Sequence, residues 1–143
     1  MEISIKLLPI DDRTSGFEMG DITLEHQGKT ITSAGRTPSQ SMMIFIFMSD
    51  FIEMLIALEK NGRPDLIKLI AADSSFSLSL RKDGLNLTIS EQSTKMIVPL
   101  QDFLRTLRSS TLQWLAPLKS KIDSDDPALN DLLSALKKME TDF

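Results

Sequence analysis

A chain of 143 residues with 41% apolar and 25% charged side chains has enough of both to close one hydrophobic core, and residues 1–143 read as a single domain rather than a disordered segment. With no cysteine, disulfides, thiolate metal sites and cysteine nucleophiles are all excluded. The net charge of −4 and the scattered bases, such as Arg81-Lys82 and Lys137-Lys138, lack the basic stripe that phosphate neutralisation requires, so no nucleic-acid partner is expected.

The chain opens on period-2 alternation. Ile3, Ile5 and Leu7 share one face while Glu2, Ser4 and Lys6 share the other, as in a half-buried strand. Glu2 follows Met1 and Lys6 is the only nearby base, so no signal segment is expected, and a cytoplasmic protein follows from that reading. Pro9, Asp11, Asp12 and Gly16 break the strand. Ile22, Leu24 and His26 then alternate, and Gln27-Gly28 turns into Lys29–Ser33, predicting a hairpin over 21–33. Residues 34–41 form a loop.

Met42–Met48 is the longest apolar run, far short of the roughly 20 residues that span a bilayer, so no membrane partner is expected. Continuous apolar character suits a strand buried on both faces or the start of a buried helix. The strand reading is preferred because Ser49-Asp50, with Glu53 three residues later, then supplies an N-cap. Phe51, Met54, Leu55 and Leu58 stripe the helix that follows, and Asn61-Gly62 with Pro64 ends it.

Leu66–Ala71 reads as another apolar strand. Phe76, Leu78 and Leu80 alternate with serines, Asp83-Gly84 marks a hairpin, and Leu85, Leu87 and Ile89 face inward on the return strand. Lys95–Val98 adds a short strand. From Pro99 the period becomes 3.6, and Leu100, Phe103, Leu104, Leu107, Thr111, Trp114, Leu115 and Leu118 stripe a helix that ends near Pro117. Asp126 as N-cap and Pro127 at the first helical position open a last helix with the stripe Leu129, Leu132, Leu133, Leu136 and Met139. Runs of strands followed by helices predict an α+β fold: a largely antiparallel sheet, helices packed on one face, and a C-terminal helical pair.

Catalytic chemistry is poorly supplied. His26 is the only histidine, and neither a G-x-S-x-G elbow nor an S-x-x-K followed by its companion motifs is present, so no catalytic residue is assigned and no enzyme is expected. Gly28-Lys29-Thr30 looks like the end of a phosphate loop, but Thr23 stands where the first glycine belongs, so no cofactor is expected. Asp123 and Asp125 match a calcium loop at positions one and three only. Pro127 and Ala128 follow where an oxygen ligand and the turning glycine belong, and no metal site is assigned. Binding chemistry is better served. Eight methionines include Met42, Met43, Met48 and Met54, read as core filler or an adaptable groove, and Trp114 reads as core or as a rim anchor. Asp11, Asp12, Glu18, Asp21 and Glu25 cluster around the first hairpin, as solvating charge or as a negative patch that steers a basic partner.

The stretch Arg36-Thr37-Pro38-Ser39-Gln40-Ser41-Met42-Met43-Ile44-Phe45, with Ser49-Asp50-Phe51-Ile52 and Ala72-Asp73-Ser74-Ser75-Phe76-Ser77-Leu78, resembles small bacterial immunity proteins encoded beside polymorphic or contact-dependent toxins. The resemblance covers residues 28–107 and carries no residue-by-residue site. It implies a cytoplasmic inhibitor that binds one cognate toxin domain, many of which are basic, and blocks its active site or substrate access. The alternative is a secretion chaperone or adaptor, equally small and acidic, that holds a secreted client.

Overall fold

The computed structural model describes residues 1–8, 15–60, 66–71 and 73–142. The opening alternation becomes β1 (Glu2–Leu7), antiparallel to β2 (Met19–His26), with Ile3 opposite Leu24 and Ile5 opposite Ile22. On the other side of β2 lie β3 (Lys29–Thr32) and the two-residue β4 (Met42–Met43), each antiparallel to a different end of it. Gln27 and Gly28 both have positive φ (50° and 78°), the type I′ pattern whose twist suits a two-residue hairpin. Beyond β3 the ladder continues through Ser33. Its amide donates to Ile22 O (3.1 Å) and its hydroxyl accepts from Ile22 N–H (3.1 Å). Gly20 leaves no room for a side chain, since a Cβ there would meet Lys6 O at 2.4 Å and Ile44 Cγ2 at 2.8 Å.

The strand expected over Met42–Met48 stops after Met43. Residues from Ile44 onward enter α1 (Ile44–Lys60), and Asp50 lies inside that helix rather than at its cap. The reason is burial on every side: Ile44, Phe45, Phe47, Met48, Phe51, Ile52 and Leu55 are all enclosed, and a helix apolar all round belongs in the interior. Its first amide is satisfied by the preceding sheet, since Ile44 N–H donates to Glu18 O (3.3 Å). The proposed stop at Asn61-Gly62 and Pro64 lies outside the described residues.

A second antiparallel sheet follows as a meander: β5 (Leu66–Ile70), β6 (Ser77–Asp83), β7 (Asn86–Glu91) and β8 (Thr94–Pro99). Its inner face carries Leu69, Leu78, Leu80, Leu87, Ile89, Met96 and Val98. One prediction fails here. Leu85, expected inside, is 86% exposed, because Asp83 pairs with Asn86 and leaves Gly84-Leu85 as the two-residue loop. Gly84 (φ 63°) supplies the positive φ at the first loop position, so the register starts one residue later than Asp83-Gly84 implies.

The helices α2 (Leu100–Leu115) and α3 (Pro127–Asp142) do not form the expected C-terminal pair. α3 lies along α1, burying Leu129, Leu132, Leu136 and Met139, while α2 packs on β1 and on the inner face of the second sheet. The apolar α1 offers a second face that α3's stripe covers. The fold is α+β, with two antiparallel sheets instead of one; α1 and α2 each pack against both sheets, and α3 packs on α1. Ring contacts knit the layers: Phe47 touches Phe51 (centroids 5.7 Å apart) and Phe76 (6.1 Å), Phe51 touches Phe103 (5.7 Å), and Phe45 lies 4.9 Å from Trp114. Met48 belongs to the core, and Trp114, half-buried, packs against it. No helix among the described residues is long and apolar enough to cross a membrane.

Candidate functional site

The alternation of β1 and β2 turns Glu2, Ser4, Lys6, Asp21, Thr23 and Glu25 away from the helices. Register sets Glu2 opposite Glu25, Ser4 opposite Thr23 and Lys6 opposite Asp21. Like charges directly opposite each other on a sheet face cost stability, and neither Glu2 nor Glu25 is ion-paired to a described residue. This acidic end continues into a shallow depression bordered by Met1, His26, Gln27, Gly28, Lys29 and Thr30.

Of the five acids expected to form one patch, Glu18, Asp21 and Glu25 lie among the described residues, and their surroundings differ. Asp11 and Asp12 lie outside the described residues. Glu25 is exposed and faces solvent. Asp21 is committed internally: its Oδ1 accepts from Ser33 Oγ (2.9 Å) and Ser41 Oγ (2.8 Å), pinning both ends of the 33–41 loop to β2. Glu18 uses its carbonyl to receive α1, and its side chain is half-buried. Glu2, which sequence alternation already turned outward, is the acid that the cross-strand register adds. His26 sits half-buried at the end of β2.

A second polar assembly was not legible from spacing. Arg36 grips Glu91 with both terminal nitrogens, Nη2 to Oε1 at 2.7 Å and Nη1 to Oε2 at 2.8 Å. Nη1 also donates to Gln40 Oε1 (2.6 Å), and the guanidinium lies 5.5 Å from the Phe76 ring centroid. Ser74 Oγ donates to Gln40 O (2.8 Å), so the loop between β3 and β4 is clamped onto the second sheet. The hydrogen bond to Glu91 raises the Arg36 pKa further above its ordinary value, against the opposing effect of burial. With Glu91 buried at 8% exposure, this pair is a structural clamp between the two sheets rather than an open site.

The acidic loop before α3 is also structural. Asp123 Oδ1 accepts from Asp125 N–H (3.0 Å), and Asp126 Oδ1 accepts from Leu129 N–H (3.0 Å) as the expected N-cap. Asp126 Oδ2 additionally takes the Gly16 amide (2.9 Å), tying α3 to the segment that precedes β2. Among the described residues, no group of His, Cys, Asp or Glu side chains has the arrangement of a metal site.

On α1, Asp50 stands near Asp131 of α3 and Glu53. Partial burial raises its carboxyl pKa above the ordinary value, and the charges of Asp131 and Glu53 raise it further. A folded pKa above the unfolded one means that ionised Asp50 subtracts from stability at neutral pH, and the loss is recovered as pH falls through the folded pKa. Asp50→Asn is therefore expected to stabilise the chain at neutral pH by about 0.5 kcal/mol after solvent screening. In denaturant titrations the gain fades in acid; a variant less stable than the parent at neutral pH contradicts this.

No family model, curated protein or solved structure matches this chain.

Proposed function

We propose that this chain is a non-catalytic, cytoplasmic protein-binding protein of the immunity kind, which neutralises one cognate toxin domain by seating a basic surface of that domain on the outer face of β1 and β2. The observation that carries this reading is the solvent-facing Glu2–Glu25 pair, two carboxylates held opposite each other with no cation from a described residue between them. A lysine or arginine from a partner placed between them relieves a repulsion that the free protein bears, and the negative end steers a basic partner during encounter. The net charge of −4 acts in the same direction at long range.

The test is a pull-down with the tagged chain from its source organism, with the neighbouring open reading frames co-expressed. One stoichiometric basic partner, released by rising salt, is the expected result. Several unrelated secreted clients support the chaperone instead, and the absence of any partner contradicts the proposal.

A further inference from the structure

The second sheet ends in a strand with an open edge. Ala71 N–H donates to Phe76 O (2.9 Å), which sets the phase of the β5–β6 ladder: the amides and carbonyls of residues 67, 69 and 71 face β6. Those of Leu66, Lys68 and Ile70 face away from it. Among the described residues no strand pairs with that edge.

The same three residues project onto the outer face, where Leu66 is 69% and Ile70 63% exposed, with Lys68 between them. That face is basic. Cross-strand register places Arg81 beside Leu66, and runs from Lys68 through Ser79 and Ser90 to Lys95. None of these three bases is ion-paired to a described residue. Asp83, at the far hairpin, is the only acid that the register puts on this face among the described residues.

An exposed edge of this kind takes a strand from another chain, and the side chains decide which one. A second copy fits poorly. Antiparallel self-pairing centred on β5 sets Lys68 against Lys68 of the other copy, and like charges directly opposite are unfavourable. An acidic residue opposite Lys68, with apolar residues two positions away on either side, satisfies all three positions at once. We infer that β5 is a docking edge for an extended segment of another protein that carries apolar, acidic and apolar residues at alternate positions on one face, added antiparallel through the backbone of Leu66, Lys68 and Ile70. Arg81 and Lys95 extend the charge match into the sheet. This edge is separate from the Glu2–Glu25 face and stands whether or not that face binds a toxin domain.

The probe is a labelled peptide with valine, glutamate and valine at alternate positions and threonine between them (Val-Thr-Glu-Thr-Val), closed by proline at each end to keep it from stacking on itself, with the peptide carrying lysine in place of glutamate as comparison. Fluorescence anisotropy is expected to show binding of the glutamate peptide by the parent chain and at least about fivefold weaker binding of the lysine peptide. Lys68→Glu, at an exposed position that leaves the core intact, is expected to invert that preference. Hydrogen exchange of the complex then shows new protection at the amides of Leu66, Lys68 and Ile70, a signature that general electrostatic attraction does not produce. The inference is overturned if neither peptide binds, if Lys68→Glu leaves the preference unchanged, or if those amides stay unprotected. Glu2→Lys/Glu25→Lys, which disables the other face, leaves peptide binding intact.

Discussion

Phe47→Ala is expected to lower stability by about 3–5 kcal/mol, moving the midpoint of thermal unfolding by about 10–20 °C. The ring is fully enclosed and lies edge-on to both Phe51 on its own helix and Phe76 leading into β6. Truncation removes the apolar surface of the ring and the aromatic edge contacts together. The neighbours belong to two different layers, a helix and a sheet, so the void closes poorly and the cost falls at the upper end for such changes. Leu85→Ser is the matched control: the side chain stands 86% exposed in a turn and the substitution is expected to be close to neutral. Urea titrations of the two variants measure both costs. A loss below about 1.5 kcal/mol for Phe47→Ala, or an equal loss for Leu85→Ser, contradicts the layered core described above.

The Arg36–Glu91 clamp gives the second large effect. Arg36→Met is expected to cost about 2–4 kcal/mol, most of it from leaving the Glu91 carboxylate buried without its bidentate partner. The figure sits below that of a fully enclosed pair because the Arg36 side chain keeps 23% of its surface in water. Arg36→Met/Glu91→Leu removes both charges and is expected to recover more than half of the loss. Denaturant titrations of the parent, both single variants and the double variant form the cycle that measures this coupling. Additive losses contradict the clamp.

How much of this was legible in the sequence depends on the range over which each feature is decided. Period-2 patterns are local, and β1, the β2–β3 hairpin and the β6–β7–β8 meander follow them, as do the Asp126-Pro127 start of α3 and the stripe of α2. Met42–Met48 fails as a strand because a continuously apolar run has no period of its own, and the surrounding layers chose a helix from Ile44. Asp50 then lies in the middle of a helix, where its capping chemistry goes unused. The helical pair fails for a related reason: two amphipathic stripes adjacent in sequence do not say which apolar face each will cover, and α3 found α1. Division of the strands into two sheets is likewise a property of long-range pairing.

The candidate site divides along the same line. Alternation shows which acids face water, so Glu25 and Glu2 are readable, but only register brings them opposite each other. Sequence clustering alone groups Asp21 with Glu25, although the Asp21 carboxylate is taken by Ser33 and Ser41. Arg36 and Glu91 lie 55 positions apart, and no spacing rule connects them.

The most direct test of the proposed binding face compares the parent chain with Glu2→Lys/Glu25→Lys in the same pull-down, at equal concentration and low salt. Both substitutions lie on an exposed sheet face, so the fold is retained. The acidic-face account predicts that the reversed pair recovers about a tenth or less of the basic partner recovered by the parent, and that the difference narrows as salt rises. Equal recovery of the same partner by both chains would place the binding surface elsewhere and contradict it.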